Sequence, residues 1–342
     1  MARGGGLPVV PARLGMGRMR FMGGCARRLI WDAAPPVLEK GRRWGVMEPL
    51  ESIDGGRFDA VFDEAQRARA LRALEAGQVL YFSHLAFALT EDERRFLSPG
   101  CTDGRSKNIS YDPQAGILKG TVLTGDERAR LQAMVARFAQ GARVLVEGLF
   151  PRYTPHLAMG RTSYRPIEAK GRASSYRKDD SRLHVDAFPS RPSGGRRILR
   201  VFSNVNPEGR GREWRLGEPF EVCARRFLPG IRPPLPGQRW LLKACGITSG
   251  YRSDYDHYML ALHNAMKADE HFQRHCPQYE VTFPAGTTWM AFTDQVSHAA
   301  MAGQYLLEQT FHVSVQDLAR PEGAPLSVLE RLLGRPLAGA RG

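Results

Sequence analysis

The chain has 342 residues, 42% of them hydrophobic, and a formal net charge of +14, which is enough to bury a full core as one large domain or two small ones. No apolar run approaches the ~20 residues of a membrane-spanning helix, and no secretory signal is visible. The five cysteines are scattered and form no Cys-x-x-Cys pair. This argues against a disulfide framework or a zinc ribbon and favours the cytoplasm.

The first 46 residues carry half of the excess positive charge. Nine basic residues stand against Asp32 and Glu39, and the segment is rich in Gly and Pro without a helical or strand period. Such a composition predicts a disordered basic extension. Met47 opens a sequence that looks far more like the start of a domain, so we expect an incorrectly assigned start to account for residues 1–46. The charge of the remainder indicates an anionic partner or a solvated basic face.

The first predicted elements precede the residues that carry chemistry. A helix is expected over 63–76, ended by Gly77, and a short strand over 79–82. Thr124, with Glu127 three positions on, predicts a capping box at the start of a long helix. We expect these helices to pack outside a sheet.

The central feature is a His-x-Asp pair followed at long range by another histidine. In an extended segment, residues i and i+2 project from the same face, so His184 and Asp186 can reach one ion. His298 would join them from a different strand. Two histidines and one carboxylate are the ligand set of non-heme Fe(II) oxygenases, which keep the opposite face open for a chelating co-substrate and dioxygen. The short pattern alone has a high false-positive risk.

A basic residue in the middle of an apolar strand is the second unusual feature. The strand over 197–206 contains Arg200, and a buried guanidinium needs a carboxylate partner. Two interpretations stay open: Arg200 pairs with a structural acid, or it clamps the distal carboxylate of 2-oxoglutarate. Many 2-oxoglutarate enzymes carry a basic residue after the distal histidine, but Glu308 holds that position here, so Arg200 is the first choice for the clamp. Further candidates for the same pocket are Ser181, Asn204 and Trp214.

The C-terminal third alternates strands and turns. Strands over 278–283 and 288–292 are joined by a Pro-Gly turn, and His298 begins a short strand that turns at Gly303. One more strand follows. This pattern is typical of the closing strands of a small roll, and it predicts a mainly β fold with flanking helices and a double-stranded β-helix core of the jelly-roll or cupin type.

A long insert is predicted between the two halves, over about 207–277. It contains a Pro-rich stretch and a helix capped by Ser253 that runs to about His275. We expect this helix to screen the barrel or to shape the mouth of the substrate pocket. His271 and His275 lie four apart but have no third ligand in register, so they are expected to face solvent. A short amphipathic helix is expected over 326–333.

These segments resemble the Kdo hydroxylase family, the Fe(II)/2-oxoglutarate dioxygenases that act on the inner sugar of lipopolysaccharide. The resemblance rests on residues 184–192, with the sequence HVDAFPSRP, on the strand over 197–206 and on residues 298–311. It covers about 47–334, whereas the first 46 residues have no recognisable counterpart. It implies a single dioxygenase domain over 47–334 and a tail over 335–342.

The resemblance also implies a reaction and a site. His184, Asp186 and His298 would hold Fe(II), with 2-oxoglutarate and O2 as co-substrates. The reaction would be hydroxylation at C3 of 3-deoxy-D-manno-oct-2-ulosonic acid (Kdo) attached to lipid A, which converts Kdo to Ko. Such a substrate would bring the protein to the cytoplasmic face of the inner membrane as a peripheral protein. Candidates for contact with sugar or phosphate are Arg191, Arg196, Arg197 and Tyr176.

Two other functions remain open at this point. A 2-oxoglutarate oxygenase acting on protein or nucleic acid would use the positive charge to meet phosphates, although no RNA-binding motif is recognisable and we expect no nucleic-acid partner. A non-catalytic β-roll binding module would carry the His and Asp residues incidentally. In that case, replacing His184 or Asp186 would leave its biological effect intact.

Overall fold

The computed structural model of the protein describes residues 38–39, 48–171 and 175–338. Its strands are β1 (Leu38–Glu39), β2 (Leu50–Ser52), β3 (Val79–Phe82), β4 (Ile109–Asp112), β5 (Ile117–Lys119), β6 (Ala158–Arg165), β7 (Arg197–Asn204), β8 (Arg212–Leu216), β9 (Tyr279–Phe283), β10 (Thr288–Phe292), β11 (His298–Ala302) and β12 (Leu306–Val313). Its α-helices are α1 (Glu64–Glu75), α2 (Gly125–Leu149), α3 (Phe220–Phe227), α4 (Gln238–Ala244), α5 (Asp254–Ala268), α6 (Glu270–His275) and α7 (Pro325–Leu333).

The larger of two sheets has the strand order β2-β3-β10-β7-β12-β6-β4-β5. Every pair in it is antiparallel except β2 with β3. Because side chains alternate along a strand, β7 sends Leu199 to one face, where it packs with Leu74 of α1 and Leu145 of α2. The opposite face carries Arg200 and Phe202. This second face is the one that meets the smaller sheet.

The smaller sheet has the order β1-β9-β8-β11 and is antiparallel. An aromatic layer joins it to the larger sheet. Phe283 of β9 stacks on Trp289 of β10 with ring centroids 4.1 Å apart, and Trp214 of β8 meets Phe202 edge-on at 5.0 Å. This layer fixes the spacing of the two sheets, as interdigitating side chains do in other double-sheet folds.

Helices α3, α5 and α7 cover the outer side of the segment that contains His184. Val185 and Ala299, the residues that follow the two predicted histidine ligands, are fully buried. They pack in one apolar cluster with Phe220, Met259 and Leu329 from the three helices. Because neighbouring side chains in extended backbone point in opposite directions, this packing turns the histidines toward the interior between the sheets.

The mainly β fold with flanking helices is confirmed. Helix α1 starts at the capping box formed by Asp63. Helix α2 follows Thr124, but the Thr124 side chain makes no capping hydrogen bond, so the predicted capping box is wrong there. The capping box at Ser253 is present, whereas the helix ends at Ala268 and Asp269 caps a separate short helix.

The predicted domain boundaries fall partly outside the described residues. Of the extension over 1–46 only Leu38–Glu39 is described, as β1 paired with β9, and the predicted disorder of the rest lies outside the described residues. The predicted insert over 207–277 contains β8, a central strand of the smaller sheet, so its accessory part begins after Leu216. Among the described helices, none combines the length and the apolar character needed to cross a bilayer.

Candidate metal centre

His184, Asp186 and His298 converge on one point between the sheets. His184 and His298 lie side by side, and the backbone N–H of each donates to the carbonyl oxygen of the other, at 3.0 and 2.9 Å. The N–H of Asp186 donates to the carbonyl oxygen of Thr293 at 2.7 Å. One ligand atom from each of the three side chains lies within 4.8 Å of the other two, and all three residues are buried. The fold therefore brings the predicted triad together.

Hydrogen bonds orient both imidazole rings. Nδ1 of His184 lies 2.7 Å from the carbonyl oxygen of Arg182, and Nδ1 of His298 lies 2.8 Å from that of Val296. Since a carbonyl oxygen only accepts, each Nδ1 carries the proton, which leaves Nε2 of each ring as the lone-pair donor for a metal. Burial lowers the pKa of both rings, and this favours the neutral form that metal binding requires.

Positive charge keeps the carboxyl group of Asp186 ionised. Burial opposes its ionisation, but the attraction of Arg200 is the largest opposing influence, and the pKa of Asp186 lies well below its usual range. Nη2 of Arg200 lies 3.2 Å from Oδ2 of Asp186, and its Nη1 lies 2.9 Å from Oε1 of Glu308. Arg200 therefore links a metal-ligating carboxylate to a second buried acid.

The triad opens onto a cavity of about 1100 Å3. Three arginines line it near the triad: Arg165 at the end of β6, Arg200 on β7 and Arg212 at the start of β8. Trp214 shares this wall, and its ring stacks on His298 with centroids 5.1 Å apart and planes 24° apart. Further basic residues that line the cavity are Arg105, Lys107, Arg177, Lys178 and Lys267. The cavity is therefore suited to an anionic occupant.

Several buried polar atoms of this wall have no hydrogen-bond partner within the described residues. They include Nε of Arg200, Nε of Arg212 and Nε1 of Trp214. Since a buried polar atom without a partner costs about 1–3 kcal/mol, these atoms fit a site whose remaining partners are bound groups. Two neutral imidazoles and a carboxylate suit Fe(II), and the orphaned donors suit the carboxylates of an acidic co-substrate.

A glycine turn holds Arg212 in this wall. Nη1 of Arg212 donates to the carbonyl oxygen of Gly303 at 2.6 Å. Gly303 has a φ of 116°, and a Cβ atom there would lie 2.7 Å from Cδ of Arg212. Only glycine accommodates both conditions. Burial, reinforced by Arg165, lowers the pKa of Arg212 to about 10, so its guanidinium stays charged at neutral pH.

Comparison with known proteins assigns the chain to a family. A family profile described as 3-deoxy-D-manno-oct-2-ulosonic acid (Kdo) hydroxylase matches residues 57–336. The chain belongs to the Kdo hydroxylase family. This confirms the resemblance stated from residues 184–192, 197–206 and 298–311. No curated protein sequence matches the chain.

Solved structures of a family member are similar over most of the chain. One is the Kdo hydroxylase KdoO, a non-heme Fe(II) alphaketoglutarate-dependent dioxygenase, in complex with alphaketoglutarate (2-oxoglutarate) and Fe(III). It is 49% identical, with a TM-score of 0.81, and the match covers 85% of this chain and 97% of that chain. The cobalt(II) complex of KdoO is 49% identical, with a TM-score of 0.83 and coverage of 86% and 99%. The jelly-roll core predicted for this family member is thereby confirmed.

Two of the four residues predicted for the 2-oxoglutarate pocket of this Kdo hydroxylase lie on the cavity, namely Arg200 and Trp214. The other two do not, contrary to prediction. Ser181 Oγ donates to Asp179 at 2.6 Å. Nδ2 of Asn204 donates to the carbonyl oxygen of Phe283 at 3.1 Å. Asn204 shares a strand face with Arg200, as expected, but four residues along the strand carry it away from the triad.

The four residues predicted to contact sugar or phosphate do not line the cavity. Arg197 is 1% exposed, and its Nε lies 2.8 Å from Oδ2 of Asp294. Its guanidinium is held by Asp294 outside the cavity, so the structure contradicts the prediction that Arg197 contacts the substrate. Arg191 and Arg196 are exposed outside the cavity. Tyr176 is exposed and lies between two residues that line the mouth.

Sequence reasoning missed Arg165 and Arg212. Arg212 alternates with Trp214 and Leu216, so recognising β8 as a strand would have placed Arg212 on the same face as Trp214. Arg165 offers no comparable signal. It reaches the site because β6 pairs with β12 in a register that sets Arg165 opposite Leu306, and such a long-range register is not encoded locally.

Proposed function

We propose that this protein is an Fe(II)- and 2-oxoglutarate-dependent hydroxylase that converts Kdo to Ko on lipid A. The observation that carries the proposal is the convergence of His184, Asp186 and His298 on a large cationic cavity in a chain of the Kdo hydroxylase family. C3 of Kdo is an unactivated methylene, which acid–base groups cannot functionalise. Iron bound together with 2-oxoglutarate and dioxygen supplies the oxidising chemistry that such a carbon requires.

The protein's part in this reaction begins with rigid ligands. Nε2 of His184, Nε2 of His298 and the carboxylate of Asp186 would hold the iron from one side. The paired backbones of the two histidines and the bond from Asp186 to Thr293 keep the three groups in place. Ligands fixed in this way retain their geometry when the co-substrate and the sugar enter.

The co-substrate would bind between the iron and the arginine wall. 2-Oxoglutarate carries two carboxylates, and the unpaired donors of Arg200, Arg212 and Trp214 can each donate to a carboxylate oxygen. Glu308 forms ion pairs with both Arg165 and Arg200. This holds two like charges close together and orients them before the co-substrate arrives. We therefore retain Arg200 as the clamp and add Arg212 to it.

The sugar and its lipid anchor would enter through the basic mouth. Kdo carries a carboxylate and lipid A carries phosphates, so the exposed lining residues Arg105, Arg177 and Lys178 match the charge of this substrate. A substrate anchored in a bilayer would bring the enzyme to the cytoplasmic face of the inner membrane, and a strongly basic protein is attracted to anionic lipids there.

Mass spectrometry of lipopolysaccharide cores tests the proposal. Cells that express the protein should yield cores heavier by one oxygen, with the added mass located in Kdo, and cells that express the His184→Ala variant should not. Cores of unchanged mass would overturn the proposal.

Succinate release separates this substrate from other acceptors. The purified enzyme with Fe(II) and 2-oxoglutarate should release succinate when Kdo-lipid A is added. Stimulation by an oligonucleotide or a peptide instead would assign the oxygenase to a protein or nucleic-acid substrate.

A further inference from the structure

An exposed apolar patch lies in the accessory part of the chain. Ten large hydrophobic side chains are exposed among the described residues, and five of them fall within 235–251. These five are Leu235, Trp240, Leu241, Ile247 and Tyr251. Trp240 is 64% exposed, and none of the residues of α4 is buried. Exposed apolar side chains that are concentrated in this way mark an interaction surface rather than ordinary surface variation.

All charged residues of the same segment are basic. Between Leu228 and Ser253 the chain has no Asp or Glu, and it has four basic residues. They are Arg232, Arg239, Lys243 and Arg252. The next acid along the chain, Asp254, forms an ion pair with Arg335 at 2.6 Å. Nζ of Lys243 lies 3.8 Å from the ring centroid of Tyr251, so cations and apolar groups share one surface.

The segment also adjoins the metal cavity. The N–H of Ser249 donates to the carbonyl oxygen of Ser190 at 2.9 Å, and Nη2 of Arg252 donates to that of Pro189 at 2.5 Å. Pro189 lines the cavity and follows Asp186 by three residues. The segment then leads directly into α5, whose residue His263 lines the same cavity. A surface bound by this segment would therefore lie close to the cavity mouth.

We propose that residues 232–252 form a docking segment that binds the surface of an anionic phospholipid bilayer. Aromatic and aliphatic side chains suit the interface between headgroups and acyl chains. Basic residues without acidic neighbours add attraction to anionic headgroups. The docking segment deepens the proposed function, on which it rests for the identity of the substrate, because it holds the cavity mouth against the bilayer that contains a lipid-anchored sugar.

Vesicle flotation tests the docking segment without any turnover. The full-length protein should float with vesicles of phosphatidylethanolamine and phosphatidylglycerol and much less with vesicles of phosphatidylcholine alone. Trp240→Ser with Leu241→Ser should lower the partition coefficient about tenfold or more. Arg239→Gln with Lys243→Gln should lower it about fivefold per residue. Wild-type partition by both double variants would overturn the proposal.

Matched variants outside the segment serve as controls. Val61→Ser with Ile117→Ser removes two exposed apolar side chains elsewhere, and Arg94→Gln with Arg274→Gln removes two exposed charges. Both pairs should float as the wild type does. If they lose binding to the same extent as the docking variants, the attraction belongs to the whole surface and the proposal fails.

A native cysteine offers a local reading of membrane contact. Cys245 is exposed within the docking segment, whereas Cys101, Cys223 and Cys276 are buried. In a Cys25→Ser background, an environment-sensitive fluorophore on Cys245 should shift to the blue when anionic vesicles are added. An unchanged spectrum would place the segment away from the bilayer. Self-association that is lost in the Trp240→Ser, Leu241→Ser protein, with no vesicle binding, would assign the patch to a second copy instead.

Turnover separates this proposal from the proposed function. The Trp240→Ser, Leu241→Ser protein should hydroxylate a deacylated, water-soluble Kdo oligosaccharide as the wild type does. Its rate on Kdo-lipid A in vesicles should fall about tenfold, in parallel with partition. If the wild type hydroxylates neither substrate, the proposed function fails while the flotation result still decides the docking segment. Equal rates of both proteins on the vesicle substrate would overturn the docking role.

Discussion

At the scale of single residues, Glu308 organises the arginine wall of the cavity. Its Oε2 lies 2.7 Å from Nη2 of Arg165, and its Oε1 lies 2.9 Å from Nη1 of Arg200. Burial opposes the ionisation of Glu308, but the two arginines outweigh it and lower its pKa. A charge with two partners repays more of the cost of its burial than a charge with one. Many 2-oxoglutarate enzymes have a basic residue at the position of Glu308. In this protein Glu308 instead positions two arginines, and Arg200 can bind the carboxylate of 2-oxoglutarate.

Substitution of a residue of the ligand triad should sharply weaken the binding of Fe(II). His184→Ala and Asp186→Ala each remove one of three donors, so the Kd for Fe(II) should rise by more than about 100-fold. Anaerobic calorimetric titration measures it, and circular dichroism verifies the fold. His271→Ala with His275→Ala, an exposed pair with ring centroids 4.4 Å apart, should leave the Kd unchanged. Loss of binding in that control alone would place the metal on α6.

Substitution of Arg200 should lower the affinity for 2-oxoglutarate. Because Arg200→Gln removes a charge-assisted donor, the Kd for 2-oxoglutarate should rise about 10- to 100-fold. The charge-transfer band of Fe(II) with 2-oxoglutarate under anaerobic conditions measures this binding without turnover. Arg196→Gln, a neighbouring arginine that is exposed, should bind as the wild type does. An unaltered Kd in Arg200→Gln would assign Arg200 to the alternative role of pairing with structural acids.

At the scale of elements, local patterns predicted which strands exist but not which strands are neighbours. Alternation and a Pro-Gly turn located β9 and β10, and the spacing of His184 and Asp186 predicted a shared face. The pairing of β11 with β8 depends on the aromatic layer between the sheets, which draws residues from distant parts of the chain. Arg165 and Arg212 reach the site through such pairings, and sequence reasoning missed both for that reason.

The capping box at Ser253 should stabilise the protein more than the capping box at Asp63, because Asp256 in the first one also bonds to a buried loop. Its Oδ2 accepts from Ser253 Oγ at 2.6 Å, and its Oδ1 accepts from the N–H of Ser193 at 2.7 Å. Asp256→Ala should lower the free energy of unfolding by about 2–4 kcal/mol, because it leaves buried donors unpaired. Asp63→Ala in the exposed capping box of α1 should cost about 1 kcal/mol. Urea denaturation compares the two, and equal losses would contradict the role given to burial.

At the scale of the whole molecule, the site joins two sheets that sequence-distant segments build. His184 and Asp186 come from one extended segment, His298 from the smaller sheet and Arg200 from the larger one. The space between the sheets is lined by arginines and histidines as well as by the aromatic layer. Burial of histidine there ties the stability of the whole fold to pH, because a ring that is neutral in the folded protein takes up a proton on unfolding.

His312 on β12 shows this coupling away from the metal ligands. Burial, with Arg196, Arg200 and Arg191 nearby, lowers the pKa of His312 to about 4, against about 6.5 in an unfolded chain. Between these values only the unfolded chain binds the proton. The stability that His312 confers is therefore complete above about pH 6.5 and is lost as the pH falls toward about 4.

The size of that loss is testable by comparing two proteins. At about 1.36 kcal/mol per pKa unit, His312 should account for about 1–3 kcal/mol of the fall in unfolding free energy between about pH 7 and about pH 4. His312→Gln cannot take up the proton, so its unfolding free energy should fall by that much less over the same range. Urea denaturation of both proteins at each pH measures the difference, in which the shared contributions of His184 and His298 cancel. Parallel pH profiles would show that His312 titrates alike in the folded and unfolded chains, and the partial burial of its ring would then have no energetic consequence for folding.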